Sequence, residues 1–201
     1  MSRPAFTQPG PWVVAAMILV AGLSRLLPHA WNFTPVEAMA LFGGAYFARR
    51  WLAFVVPLGA MLATDLVMGF NVAVPGYTVV TLPFTEVQFG LHGSMPVVYA
   101  CIAASVALGF VLRGKVGVLR VAGCGLAGSL LFFLVTNWFV WLTAQGVPGY
   151  EACTIGLASC YVAALPFLKG WLLGTAVWSV ILFGGFELLR RQLPVLRAQT
   201  A

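Results

Sequence analysis

Long apolar runs separated by short polar segments make up most of this 201-residue chain. A soluble domain of this size could not bury so much apolar surface, because 61% of the residues are hydrophobic and only 8% are charged. A helix needs roughly 20 mostly apolar residues to cross a bilayer. The pattern therefore predicts an all-α integral membrane protein with a single transmembrane domain over residues 1–201. The six predicted spans are about 11–27, 35–48, 51–70, 94–112, 116–142 and 169–189.

Two segments depart from a simple series of spans. The second run, Pro35–Ala48, is short for a crossing, so that helix must begin earlier or tilt little. Between the fifth and sixth runs, Glu151–Leu165 is moderately apolar and is followed by Pro166. Because proline blocks the helical hydrogen-bond ladder, this stretch predicts an interfacial or re-entrant helix.

The basic residues orient the predicted spans. Nine of the eleven Lys and Arg residues fall at the chain ends or in two short gaps between apolar runs. Basic loops of membrane proteins remain on the cytoplasmic side. We therefore expect both termini in the cytoplasm, and longer outer segments rich in Gly, Pro and aromatic residues. The nine are Arg3, Arg49, Arg50, Arg113, Lys115, Arg120, Arg190, Arg191 and Arg197.

Composition and motifs exclude several function classes. The net charge of +6 follows from the basic loops, and no wet basic and aromatic face indicates a nucleic-acid partner. The chain has no zinc-protease, hydrolase, phosphate-loop or dinucleotide-binding motif, so we expect neither an enzyme nor a resident cofactor or metal. The four cysteines lack metal-site spacing. Cys153 and Cys160 could form a disulfide on the outer side or remain free thiols.

Ionisable and amide side chains collect at one predicted depth, near the outer face. Each of the six predicted spans contributes at least one. Charges within spans are costly and usually face the protein interior or water. We therefore predict an outward-facing pocket beneath the outer loops. The residues at this depth are Arg25, His29, Asn32, Glu37, Asp65, Tyr99, Asn137, Gln145 and Lys169.

Each of these residues also has a purely structural interpretation. Arg25 could extend to outer headgroups, and Asp65 could form an ion pair with Arg25 or Lys169. Glu37 could serve the positive end of its helix. Asn137 could hydrogen-bond between helices, and His29 could stabilise its proline-containing loop. The small residues in the second and fifth runs could pack internally or form a surface for a partner subunit.

Several motifs resemble a bacterial family of small transport proteins of unassigned function. The likeness covers Arg25–Leu189, and Asn-Phe-Thr-Pro and Leu-Phe-Gly-Gly-Ala are its most specific parts. That family is similar to the S components of energy-coupling-factor vitamin transporters. The matching segments are Arg25–His29, Asn32–Pro35, Ala40–Phe47, Thr64–Asp65, Met95–Tyr99, Ser129–Asn137 and Cys160–Phe167.

The resemblance implies a six-helix capture subunit in the bacterial inner membrane. Such a subunit binds a vitamin beneath its outer loops and docks on a transmembrane coupling subunit with two ATPases. The likeness is greatest to the cobalamin-binding type, with cobalamin as substrate. It implies ligand contacts for His29, Asp65, Tyr99 and Lys169. That type offers a thiol to cobalt shortly before the fourth-span Tyr, where this chain has His92, whose neutral imidazole could be the ligand instead.

Two other hypotheses remain open at this point. The chain could be a solitary ion-coupled carrier, with Asp65 as its proton- or sodium-linked carboxylate. It could also be a membrane enzyme or assembly factor that uses Cys or His chemistry.

Overall fold

The computed structural model describes residues 9–73, 94–147 and 149–196, and the side chains of 69–73 are outside this description. Within those ranges the chain is helical and contains no strand. The helices are α1 (Pro9–Leu23), α2 (Val36–Tyr46), α3 (Arg50–Ala73), α4 (Met95–Gly109), α5 (Val118–Thr143), α6 (Glu151–Ile155), α7 (Leu157–Ser179) and α8 (Gly185–Gln192).

Among the described residues, five helical stretches are long and apolar enough to cross a membrane. α1 and α4 reach that length through short 3₁₀ extensions, to Leu26 and Leu112. α3 and α5 reach it alone, and α7 joins α8 through one π-helical segment to give 36 continuous residues. The all-α membrane class is thus confirmed.

The second predicted span is a short helix at the centre of the bundle. α2 has only 11 residues, about 16 Å of helix, whereas the apolar core of a bilayer is about 30 Å thick. All of its residues are buried, against α1, α3, α4, α5 and α7. Leu41, Phe42 and Tyr46 contribute most of the volume that it places in the core. The predicted short span at 35–48 is thus an 11-residue buried helix, and it is not among the stretches long enough to cross a membrane.

Glycines allow α2 to lie this close to its neighbours. A Cβ on Gly44 would collide with the carbonyl oxygen of Val106 in α4, and one on Gly109 would lie 2.5 Å from the carbonyl oxygen of Leu41. Small residues permit such close backbone approach in membrane proteins. For these positions, internal packing is confirmed as the role of the small residues.

The segment before the last span is the second correction. The helix expected over Glu151–Leu165 is instead divided at Gly156, whose φ is 158°. α6 covers only Glu151–Ile155, and α7 continues through Pro166 as part of the last long helix. A proline is tolerated inside a membrane helix because neighbouring groups and small local adjustments satisfy the freed carbonyls. The last span therefore begins 12 residues before Lys169.

The two ends of the bundle differ in charge. At one end, Arg113 donates hydrogen bonds to the last carbonyls around α2, from Nε to Gly44 O (3.0 Å) and from Nη2 to Phe47 O (2.7 Å). Arg190 of α8 lies over the ring of Tyr46 at the same end. Cations favour helix C-termini because the carbonyls there carry negative partial charge. The predicted polar residues gather at the other end.

Candidate functional site

A buried ion pair joins the end of α1 to α3, at the end of the bundle opposite Arg113 and Arg190. Arg25 follows α1 in its 3₁₀ extension, and its Nη2 lies 2.6 Å from Oδ1 of Asp65 in α3. Each side chain is only 10% exposed. Of the two cations predicted for Asp65, the structure selects Arg25. Arg25 therefore does not simply extend to headgroups.

Neighbouring groups complete this ion pair. Nη1 of Arg25 donates to the hydroxyl of Thr64 and to the carbonyl oxygen of Met61 (3.2 Å). The phenol of Tyr99 in α4 donates to Oδ2 of Asp65 at 2.8 Å. Both carboxylate oxygens thus have a partner, as a buried charge requires. The network fixes the relative positions of α1, α3 and α4.

A cavity of about 180 Å³ opens beside this network. Its wall brings together five of the predicted site residues from the first loop, α1, α3 and α4. It also includes the buried Thr34, whose hydroxyl has no hydrogen-bond partner in the described part of the chain. The five predicted residues are Arg25, His29, Asn32, Asp65 and Tyr99.

The loop that joins α1 and its 3₁₀ extension to α2 packs directly on α7. A Cβ on Gly170 would collide with the carbonyl oxygen of Trp31, and one on Gly174 would lie 2.6 Å from the amide nitrogen of Thr34. These two glycines, one helical turn apart, leave room for the loop backbone on the helix surface. Nδ1 of His29 is 2.7 Å from the carbonyl oxygen of Leu27, which orients the ring.

Asn32 has an unusual backbone for this position, with a φ of 55°. Asparagine and glycine tolerate the left-handed region, whereas other residues lose roughly 1–2 kcal/mol there. We expect Asn32→Gly to keep the free energy of unfolding within about 0.5 kcal/mol, and Asn32→Val to lower it by about 1–2 kcal/mol. Reversible unfolding in mixed micelles would measure both. Equal stability of the two variants would contradict a conformational role for this residue.

A second, larger cavity of about 320 Å³ adjoins the first. It lies between α5 and α7 beneath α6. Asn32, Phe132 and Trp171 line both cavities. The rings of Phe132 and Trp171 stack with centroids 3.9 Å apart and planes 9° apart, so the pair forms a partition between the cavities. Asn137 lines only the larger one.

The larger cavity is closed on one side by α6 and its connections. Cys153 of α6 and Cys160 of α7 form a disulfide, which confirms one of the two alternatives for this pair. The side-chain amide of Gln145 donates to the carbonyl oxygen of Cys153 at 3.0 Å, and the backbone N–H of Gly146 donates to the hydroxyl of Thr154. Both cysteines line the cavity. The α6 segment is therefore tied to the walls that it covers.

A family model matches residues 6–196, nearly the whole chain. The chain belongs to DUF6580, a family of unknown function. No curated protein and no solved structure matches it.

For this DUF6580 chain, one predicted site residue lies outside both cavities, and another is not among the residues that the structure describes. Lys169 is exposed on α7 and lines neither cavity, so the structure does not place it with the other predicted site residues. It was predicted there because it was taken as the first residue of its span. His92, the predicted cobalt ligand, lies outside the described residues. In the described ranges, no group of three or more His, Cys, Asp or Glu could hold a metal ion.

Glu37 has a role that the sequence did not indicate. It is fully buried, and its Oε2 accepts a hydrogen bond from the hydroxyl of Ser105 in α4 at 3.0 Å. Its Oε1 has no hydrogen-bond partner among the described residues and lies directly over Gly128, where a Cβ would collide with it. Glu37 therefore lies deep between helices rather than serving only the helix terminus.

The aromatic wall of the larger cavity was also missed as a site. Trp31 stacks on Phe167 and Trp138 is half exposed, so the stacked pair that lines the cavity is Phe132 with Trp171. Phe132 and Trp171 lie on different helices, and although Phe132 falls within the Ser129–Asn137 segment, nothing in the sequence pairs it with Trp171. The one available signal was the aromatic content of the fifth and sixth runs, which is also typical of ordinary membrane helices.

Proposed function

We propose that the chain is a substrate-capture subunit for the uptake of a vitamin or cofactor precursor, with cobalamin as the first candidate. The supporting observation is the pair of adjoining cavities at the end of the bundle that carries the Arg25–Asp65 network. Small-molecule sites are typically concave and mostly apolar, with a few convergent polar groups. These cavities have that character. The chain itself carries out no chemical conversion in this proposal.

The proposed orientation places this end of the bundle outward, in a bacterial inner membrane. Gly22 of α1 lies near Met39 of α2, and Gly43 of α2 lies near Ile18 of α1, so these two helices are antiparallel. Together with the five long stretches, α2 and its flanking segments would make six passes with both termini cytoplasmic. The basic end would then face the cytoplasm, as basic segments generally do. The disulfide would lie in an oxidising compartment.

A coupling partner is the second part of the proposal. The chain has no recognisable nucleotide-binding motif, so uptake against a gradient needs energy from another protein. We propose a transmembrane coupling subunit with ATPases. Gly123 of α5 supports a contact surface, because a Cβ there would meet nothing within 4 Å, and Ala122 and Ala127 on the same helix are also exposed.

Co-purification tests the capture function. The protein would be expressed in medium containing a mixture of vitamins, purified in detergent, and examined by mass spectrometry and absorbance. We expect a stoichiometric small molecule that is lost in His29→Ala, because His29 lines the smaller cavity. Lys169→Ala is the matched control, since Lys169 lines neither cavity. Corrinoid absorption bands would identify cobalamin, and another molecule would replace it as the substrate. Protein that retains and binds nothing from the mixture would refute capture.

One observation favours a second candidate, an ion-coupled carrier. Glu37 is a fully buried carboxyl with one oxygen unpartnered among the described residues, whereas Asp65 is paired with Arg25. In such a carrier, Glu37 rather than Asp65 would exchange the proton. Uptake by the chain alone in liposomes, driven by a proton gradient and lost in Glu37→Gln, would support this candidate over capture.

A further inference from the structure

Among the residues that the structure describes, no charged side chain lines the larger cavity. Its lining includes five aromatic residues, and its polar side chains, Asn32, Thr136 and Asn137 together with the Tyr150 phenol, carry no formal charge. A charged ligand group in such a site would lose its hydration without gaining a counterion, which is strongly unfavourable. The cavity therefore selects for an uncharged part of a ligand. The aromatic residues are Phe132, Phe133, Tyr150, Phe167 and Trp171.

The shape of the wall favours a flat group. The Phe132 and Trp171 rings are stacked at an interplanar angle of 9°, and Trp31 lies on Phe167 at the same angle. One ring of each stacked pair, Phe167 and Trp171, belongs to α7, and these two residues are about one helical turn apart. A planar ring that stacks on such a pair binds more tightly than its buried area alone would provide.

The polar atoms of the wall favour a ring that carries hydrogen-bonding heteroatoms. The indole Nε1 of Trp171 is buried, and it has no acceptor among the described residues. An N–H donor left unpaired in a buried site is unfavourable, so a ligand acceptor at this point would be stabilising. Asn137 uses its Nδ2 to donate to Phe133 O, and Thr136 uses its hydroxyl to donate to Phe132 O. The oxygens of both side chains therefore remain able to accept from a ligand donor.

We infer that the larger cavity binds an uncharged heteroaromatic ring that carries both a hydrogen-bond acceptor and a donor. The ring stacks on the Phe132–Trp171 pair, its acceptor receives the indole N–H of Trp171, and its donor meets Thr136 or Asn137. The volume of about 320 Å³ is at the lower end for small-molecule sites, which suits a bicyclic ring. This inference rests on the proposed function in that the ring belongs to the captured ligand.

Three probes with one ring system and different charge test this inference. They are quinoline-3-carboxamide, quinoline-3-carboxylate and N-methylquinolinium-3-carboxamide, titrated calorimetrically into the full chain in nanodiscs. We expect the neutral carboxamide to bind at least tenfold more tightly than either charged probe. Trp171→Phe keeps a ring and removes the N–H, so affinity for the carboxamide should fall about fivefold. Trp138→Phe is the matched control, because Trp138 lies half exposed on α5 outside both cavities.

A filled-cavity variant separates this site from partition into lipid. Ala164 is buried and lines the larger cavity, so Ala164→Phe should abolish carboxamide binding. Ala127→Phe, on an exposed part of α5, should leave binding unchanged. Equal affinity for the three probes, or binding that survives in Ala164→Phe, would overturn the inference. A co-purified ligand lost in His29→Ala but without any probe binding would overturn the ring site alone and leave capture standing.

Discussion

Asp65→Ala is expected to lower the free energy of unfolding by about 3–5 kcal/mol, because it leaves the buried Arg25 guanidinium without its counterion. The two side chains are each 10% exposed, so solvent cannot replace the lost partner. Arg25→Ala should have an effect of the same order. Reversible unfolding in mixed micelles would measure both variants.

The double variant decides whether the charge pair or the packing is responsible. Apolar residues can replace a buried ion pair with little loss when both charges are removed. Arg25→Met combined with Asp65→Leu should therefore recover most of the stability, while ligand capture stays lost. Lys169→Ala removes an exposed charge and should change stability by less than about 0.5 kcal/mol. Strictly additive losses when Asp65→Ala and Arg25→Ala are combined would contradict the coupling inferred here.

Gly44→Ala is expected to lower the free energy of unfolding by about 3 kcal/mol or more. The new Cβ would overlap the carbonyl oxygen of Val106, which is backbone and cannot rotate aside. Overpacking of this kind usually costs about 1–3 kcal/mol, and a rigid neighbour raises the cost. Gly109→Ala, on the other side of the same contact, should behave alike.

Gly123→Ala is the matched control for this helix contact. It makes the same chemical change in α5, where a Cβ would meet nothing within 4 Å. Alanine is the better helix former by about 1 kcal/mol, so this variant should be as stable as the wild type or more so. A loss of stability in Gly123→Ala equal to that in Gly44→Ala would show that glycine flexibility, rather than close packing, sets the effect.

The lengths of the apolar runs predicted most of the long helices, because this signal depends only on residues that are close in sequence. The first, third, fourth and fifth spans begin and end within three residues of their predicted bounds where the structure describes them. Arg25, Asp65 and Tyr99 were predicted at one depth, since ionisable groups in a membrane need partners, but the choice of Arg25 over Lys169 for Asp65 needed the structure.

The errors arose where tertiary contacts override a local rule. Pro166 predicted the end of a helix, yet α7 continues through it. The deep burial of Glu37 was not predicted, because its contacts with Ser105 and Gly128 come from far along the chain. The Phe132–Trp171 contact is non-local for the same reason, because its two rings come from α5 and α7.

The position of α2 has a consequence for how the chain is made. Its final surroundings include α5 and α7, which leave the ribosome long after it does, and its 11 residues are too few to cross a bilayer on their own. During synthesis, α2 therefore lies at or within the membrane before the later neighbours of its Glu37 carboxyl have been made. A chain truncated after α4 would lack the α5 and α7 surfaces that cover α2 in the complete bundle.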